Sequence, residues 1–240
     1  MYVRSWLRLV PLAVALSFAL AVAALLAGRW APLVATVLTV PVVFVLQAMH
    51  VVESAEARAG AAGSAADAFR HVRSRLKPLL AAVGLTLAKL ALLFVAFALA
   101  VHSAVVDQSL GELVGSVIAF LLLYLYLTTR WSMVTPVIVL EEVGAWRAFG
   151  RSRRLVRGHG IRVFVVLLAA QVAVAIASVV IAYAVGKGIH GSEDLKKFVR
   201  EVVSEPLTSP FLVLMWTNAY FALRRERHEP DIVVAAPVPA

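Results

Sequence analysis

Two cations, Lys89 and Arg130, stand within long apolar stretches of a 240-residue chain. An ionisable group is costly in an apolar setting, so these are the residues whose type and position point to chemistry. At the rise of an α-helix Lys89 falls about 16 Å from Pro78, and Arg130 falls a similar distance from Glu141. No buried carboxylate is expected in the same stretches. Two cations at comparable depth without acidic partners point to an anion, a lipid phosphate or helix carbonyls as ligands. The plainer alternative is that Lys89 snorkels, or that the helix carrying Arg130 ends near it and the inner interface begins there.

A second set of cations follows. Arg147, Arg151 and Arg154 recur at helical spacing, with Val143, Trp146, Phe149 and Val156 on the opposite face. Such a helix lies flat in a headgroup layer, aromatics below and arginines above. An earlier segment repeats the plan. Ser64 and Asp67 form an N-terminal cap, Phe69, Val72 and Leu76 share a face, and Arg70, Arg73 and Lys77 lie beside it. Trp146, Phe149 and Phe69 are the expected interfacial anchors. The plainer alternative is a pair of ordinary basic loops without a special partner.

Other chemistries are poorly supplied. Cysteine is absent, which excludes disulfides and thiolate catalysis. The six histidines, His50, His71, His102, His159, His190 and His228, show no HxxxH or HExxH spacing. No Ser-His-Asp set, phosphate-binding glycine loop or dinucleotide fingerprint is present. No catalytic residue, no metal site and no cofactor is expected.

These residues are positioned by six apolar runs, near 9–27, 33–51, 79–101, 112–140, 161–185 and 206–223. A helix needs about 20 apolar residues to cross the hydrocarbon core, and soluble domains do not carry six such runs. With 62% apolar and 15% charged residues, the chain departs sharply from a soluble composition. The expected fold is all-α: a polytopic transmembrane bundle of six spans with interfacial amphipathic helices. One membrane domain fills residues 1–227, and a Pro-rich tail over 228–240 is expected to be disordered.

Charge sets the orientation. With the N-terminus inside, sixteen Lys and Arg fall on the cytoplasmic side and five, Arg29, Lys187, Lys196, Lys197 and Arg200, on the other. The positive-inside rule then places both termini in the cytoplasm, in a bacterial inner membrane. Arg4, Arg8 and Ala21-Val22-Ala23 also suit a secretory signal peptide, but the apolar run continues to Ala27, so it is read as a retained helix. The net charge of +9 sits at the ends of apolar runs, where headgroups explain it, and nucleic acid is not an expected partner.

Smaller features complete the layout. Gly28 to Pro32 joins the first two spans as a tight hairpin, and Glu53 to Ser64 reads as a polar connector. Ala68-Phe69-Arg70 and Ala148-Phe149-Gly150 occupy matching places before spans three and five, so spans two-to-three and four-to-five form a candidate parallel repeat. Glu141 and Glu142 are expected to pair with nearby arginines, and Gln47, Gln171 and Asn218 to bond between helices. Leu195, Phe198, Val199, Val202 and Val203 form an apolar stripe on a short outer helix.

The stretch Pro136 to Glu142, followed by Ala148-Phe149-Gly150-Arg151-Ser152-Arg153-Arg154-Leu155-Val156-Arg157-Gly158, resembles the membrane-domain family associated with glycerophosphoryl diester phosphodiesterases. Pro210-Phe211, Tyr220 and Leu223-Arg224 are similar to that family's last helix. The resemblance spans roughly residues 65–225 and implies a multi-helix bundle, often without an attached catalytic domain. Arg153-Arg154 departs from the aromatic residue expected there. The phosphodiesterase activity does not carry over, because that chemistry needs a soluble barrel for which this chain has no room.

The expectation is therefore a non-enzymatic inner-membrane protein that binds anionic lipid or organises a membrane complex. The alternative is a carrier or flippase for a lipid or small anion, with Lys89 and Arg130 facing an internal cavity. The expected partners are anionic membrane phospholipids. A membrane-protein partner or self-association stays open.

Overall fold

The computed structural model describes residues 31–60, 64–188 and 211–230, and these residues are helical with no strand among them. The helices are α1 (Ala31–Arg58), α2 (Ala65–Ser74), α3 (Leu76–Val106), α4 (Leu110–Trp131), α5 (Val134–Leu140), α6 (Ala145–Val156), α7 (Gly160–Gly188) and α8, over 211–226. Four stretches are long and apolar enough to cross a membrane: Val40–Arg58, Leu76–Val106, Leu110–Leu140 and Gly160–Ile181. The expected first span and the outer helix at 192–203 lie outside the described residues, as does the tail beyond 230. Only the later part of the expected sixth span, now α8, is described.

The apolar windows of the second, third and fourth stretches bury only 17%, 0% and 6% of their residues inside the protein. Leu92, Leu99, Leu122 and Val179 are each exposed over more than half of their surface. Apolar surface on that scale needs a lipid or protein cover. Along this region α3 and α4 run as an antiparallel hairpin, held where Phe120 stacks on Phe97 at 4.3 Å and Phe94 at 5.1 Å between ring centroids.

Packing is concentrated at the other end of the hairpin. The core there joins Met49, Val52, Val72, Leu79, Ile138, Leu155 and Tyr220, from six different helices. Its centre is α5, all seven residues of which are buried. Pro136 fits because it stands in the first turn, where its missing N–H has no intrahelical partner to lose.

Two boundaries differ from the sequence reading. The expected connector after Glu53 is instead the end of α1, which runs on to Arg58 and buries Glu53 and Glu56. The segment Glu53-Ser54-Ala55-Glu56-Ala57-Arg58 is rich in strong helix formers, so it continues the helix rather than breaking it. The expected run 112–140 is interrupted: α4 ends at Trp131 and α5 restarts at Val134. The break exposes two backbone groups, and one side chain from α6 satisfies both. The fully buried Ser152 hydroxyl donates to the Arg130 carbonyl at 2.7 Å and accepts from the Met133 N–H at 3.3 Å.

The two basic segments form α2 and α6, which hold corresponding places. Each is a short helix leading into a long apolar one, and each buries its equivalent alanine, Ala68 or Ala148. Helix α2 opens with the expected cap, in which the Ser64 hydroxyl accepts from the Asp67 N–H at 3.2 Å. The Ser64 hydrogen bond, with Arg70 close by, holds the exposed Asp67 carboxyl below its ordinary range. Helix α6 ends at Gly158, whose φ of +88° is a left-handed turn that a side chain would strain.

Candidate functional site

The C-terminal end of α5 carries two adjacent carboxylates that gather both basic segments. Glu142, itself in a left-handed turn with φ of 57°, pairs with Arg75 at the α2–α3 junction. His71 on α2 also bonds the Val139 carbonyl at 3.0 Å. Glu141 faces the other way and collects three donors: Arg151 Nε at 2.9 Å, the Tyr220 hydroxyl at 2.8 Å and Arg224 Nη1 at 3.1 Å. Arg151 reaches past it to Glu229, Nη1 to Oε1 at 2.8 Å.

This arrangement changes the role of Arg151. It does not stand free in a row with Arg147 and Arg154; its fork is shared between Glu141 and Glu229. Those partners raise the Arg151 pKa further, Glu229 first, and Arg151 holds the Glu229 carboxyl below the ordinary glutamate range. Arg227 closes the same region by donating to the Arg154 and Arg157 carbonyls at 2.6 Å and 3.0 Å, which caps the end of α6. The C-terminal segment is thereby strapped across α6. Glu229 and Arg227 have no apolar periodicity to announce them: the sequence counts Arg227 only as a cytoplasmic cation and places Glu229 in a disordered tail, whereas the structure pairs Glu229 with Arg151.

Beside this network lies a cleft of about 980 Å³. Its walls carry Lys89 and Arg130 together with Arg147, Arg151, Arg153 and Arg154, and a single carboxylate, Glu141. All five cations singled out from sequence therefore meet at one place. Among the described residues none makes an ion pair with Lys89, Arg130, Arg147, Arg153 or Arg154. The uncompensated charge gives the cleft a positive field that low-dielectric walls concentrate.

The floor of the cleft is aromatic. The Lys89 ammonium sits 3.5 Å from the centroid of Phe149, 4.8 Å from that of Trp131 and 5.8 Å from that of Trp146. Trp131 and Phe149 meet edge to face at 5.8 Å, and the Arg130 guanidinium lies 4.6 Å from the Tyr126 ring. Ring faces thus stabilise both cations without neutralising them.

Phe149 is consequently not a lipid-facing anchor. The buried face of α6 is Ala145, Ala148, Phe149, Ser152, Leu155 and Val156, so the face drawn from sequence was rotated. Trp146 and Phe69 do face outward, at 73% and 45% exposure.

A second cavity, of about 430 Å³, opens between α1, α3, α4, α5, α7 and α8. Gln47 and Gln171 line it, and among the described residues neither makes the expected hydrogen bond to another helix; Asn218 is exposed. Trp131 is the lining residue that the cavity and the basic cleft share. Among the described residues no three His, Asp or Glu side chains gather as a metal site.

Fold and site together define, over the described residues, an all-helical architecture with four membrane-length stretches and a basic, aromatic-floored cleft at the end of two of them. The chain belongs to the family described as a domain of unknown function, DUF8558, whose model matches residues 71–223. That segment contains every residue lining the cleft. No curated protein and no solved structure matches the chain.

Proposed function

We propose that this is a non-enzymatic integral membrane protein whose basic cleft binds the phosphate headgroup of an anionic phospholipid. The observation that carries the reading is the convergence of Lys89, Arg130 and Arg147 on one cleft without carboxylate partners among the described residues. A phosphodiester offers the compact negative charge that such a cluster lacks, and arginine forks match its oxygens.

Depth supports the same ligand. Helix α4 has 22 residues, or about 33 Å at helical rise, close to the ~30 Å hydrocarbon core. Arg130 and Trp131 close that helix, and Lys89 faces Trp131. All three then fall at headgroup level, where Trp and Arg are favoured. The positive-inside count assigns that level to the cytoplasmic leaflet of a bacterial inner membrane, with both termini on the same side. The six-span bundle, with α2 and α6 at the interface, is part of this proposal, as is the kinship with the phosphodiesterase-associated membrane domains. Organisation of a membrane complex is compatible with the broad apolar faces of α3, α4 and α7.

The carrier or flippase reading has one observation in its favour: the cleft and the interhelical cavity meet at Trp131. Transport of labelled lipid in proteoliposomes would separate it from static binding.

The test is lipid retention. Wild type and a Lys89→Gln, Arg130→Gln, Arg147→Gln triple variant are purified from the same membranes, and bound phosphatidylglycerol is measured by mass spectrometry. The wild type should retain it selectively and the variant should lose it; equal retention would refute the proposal.

A further inference from the structure

We infer that the cleft and the interhelical cavity form one bipartite lipid site, with the headgroup in the cleft and a single acyl chain in the cavity. The inference rests on the headgroup reading above and adds what the ligand must carry besides charge. Trp131 is the hinge of the argument. Its neighbour in sequence, Arg130, points into the cleft, while Thr128 and Thr129, one turn away or less, line the cavity. On α3 the same division recurs: Lys89 belongs to the cleft, and Leu90 and Thr86 belong to the cavity. Two helices thus turn a basic edge to one space and an apolar edge to the next, at the same level.

The cavity suits a chain better than a second polar group. Apolar residues, among them Phe44, Leu79, Leu125, Ile138, Leu167 and Trp216, outnumber polar ones in its walls, to which Gln47 and Gln171 add two amides. The hydroxyls of Thr86 and Thr128 are turned back onto carbonyls of their own helices, at 2.8 Å each. At about 430 Å³ it lies at the small end of ligand pockets and has room for one chain, not two. It opens along α7, where Leu168 and Gln171 are exposed, so a chain can enter sideways from the bilayer. The occupant is an anionic phospholipid whose other chain, if it has one, stays in the membrane.

Affinity gained from the chain is modest, because a chain leaving bilayer for cavity exchanges one apolar setting for another. The decisive readout is therefore position. Wild-type protein in phosphatidylcholine nanodiscs receives a trace of phosphatidylglycerol bearing a photoreactive diazirine in its acyl chain. After illumination, the labelled residues are mapped by mass spectrometry. Labels should fall on cavity residues such as Thr128, Leu167 and Trp216, be competed by unlabelled phosphatidylglycerol, and be absent with a diazirine phosphatidylcholine. Thr128→Phe, which fills the cavity, should remove them while leaving phosphatidylglycerol co-purification intact. Gln171→Trp, at the open rim, gives the same test with less demand on packing.

Labels confined to outward residues such as Leu121 and Ile176 would overturn the bipartite site, and retained co-purification would then leave the headgroup reading standing. Equal cavity labelling by the zwitterionic probe would overturn the coupling of chain to charge. Loss of selective co-purification as well would sink both readings.

Discussion

Lys89 on α3 places its ammonium 3.5 Å from the centroid of the Phe149 ring on α6. Sixty residues apart in the chain, the two make a contact that joins the membrane-length hairpin to the basic helix, and they do so at the floor of the cleft.

That contact has a measurable energy. A double-mutant cycle on Lys89→Met and Phe149→Leu, read by unfolding in detergent, should return a coupling of about 1 kcal/mol, as expected for a partly desolvated cation over an aromatic face. Additive effects of the two substitutions would show that ring and ammonium do not interact.

Ser152 holds the break between α4 and α5. Ser152→Ala leaves the Arg130 carbonyl and the Met133 N–H without their partner in a buried site. The expected cost is about 1–3 kcal/mol, with faster amide exchange confined to residues 130–135. An unchanged exchange pattern there would mean that the hydroxyl is dispensable.

Glu141 is the acceptor for two arginines and a tyrosine. Glu141→Gln should destabilise the protein by about 2 kcal/mol or more, because it leaves the largely buried Arg224 and its neighbour Arg151 short of negative charge. The exposed pair Asp67–Arg70 provides the contrast. Its removal should leave stability nearly unchanged, because solvent screens the pair.

The C-terminal strap responds to acid. Arg151 depresses the folded pKa of Glu229, so the pair's contribution is fully present above the ordinary glutamate value of 4.5. It is lost as pH falls through the depressed folded value. Protection of residues 224–230 from exchange or proteolysis should therefore persist at neutral pH and fall away on acidification below the ordinary glutamate range. In Glu229→Gln protection should be weaker and should lose that step.

Much of this was legible from residue types. Apolar runs marked the long helices, Ser64 and Asp67 marked the start of α2, and the rarity of Lys89 and Arg130 in such runs singled out two residues that the fold brings to one cleft. Glu141 and Glu142 found arginines as expected. What failed was rotation and junction. The buried face of α6 runs through the small residues Ala145, Ala148 and Ser152, which carry little apolar signal, so the large Trp146 draws the sequence reading toward a face that the structure leaves exposed while Phe149 is buried. The break at Ser132-Met133 carries no glycine, and Pro136 comes after it. Pro136 still accounts for it, because it has no N–H for the Ser132 carbonyl four residues back and its ring crowds that carbonyl; what no local pattern encodes is the Ser152 hydroxyl of α6 that satisfies the Arg130 and Met133 backbone groups. Glu53 and Glu56 read as connector because they are charged, yet helix propensity and packing against neighbouring helices keep them in α1.

The claim that the cleft holds an anionic headgroup is tested most directly by equilibrium binding of phosphatidylglycerol in nanodiscs of otherwise zwitterionic lipid. Each basic residue near an anionic lipid contributes about 1 kcal/mol. The triple variant Lys89→Gln, Arg130→Gln, Arg147→Gln should therefore bind at least about tenfold more weakly than wild type. Wild-type affinity should also fall with added salt more steeply than the variant's. Equal affinities and equal salt dependence in the two proteins would contradict the account.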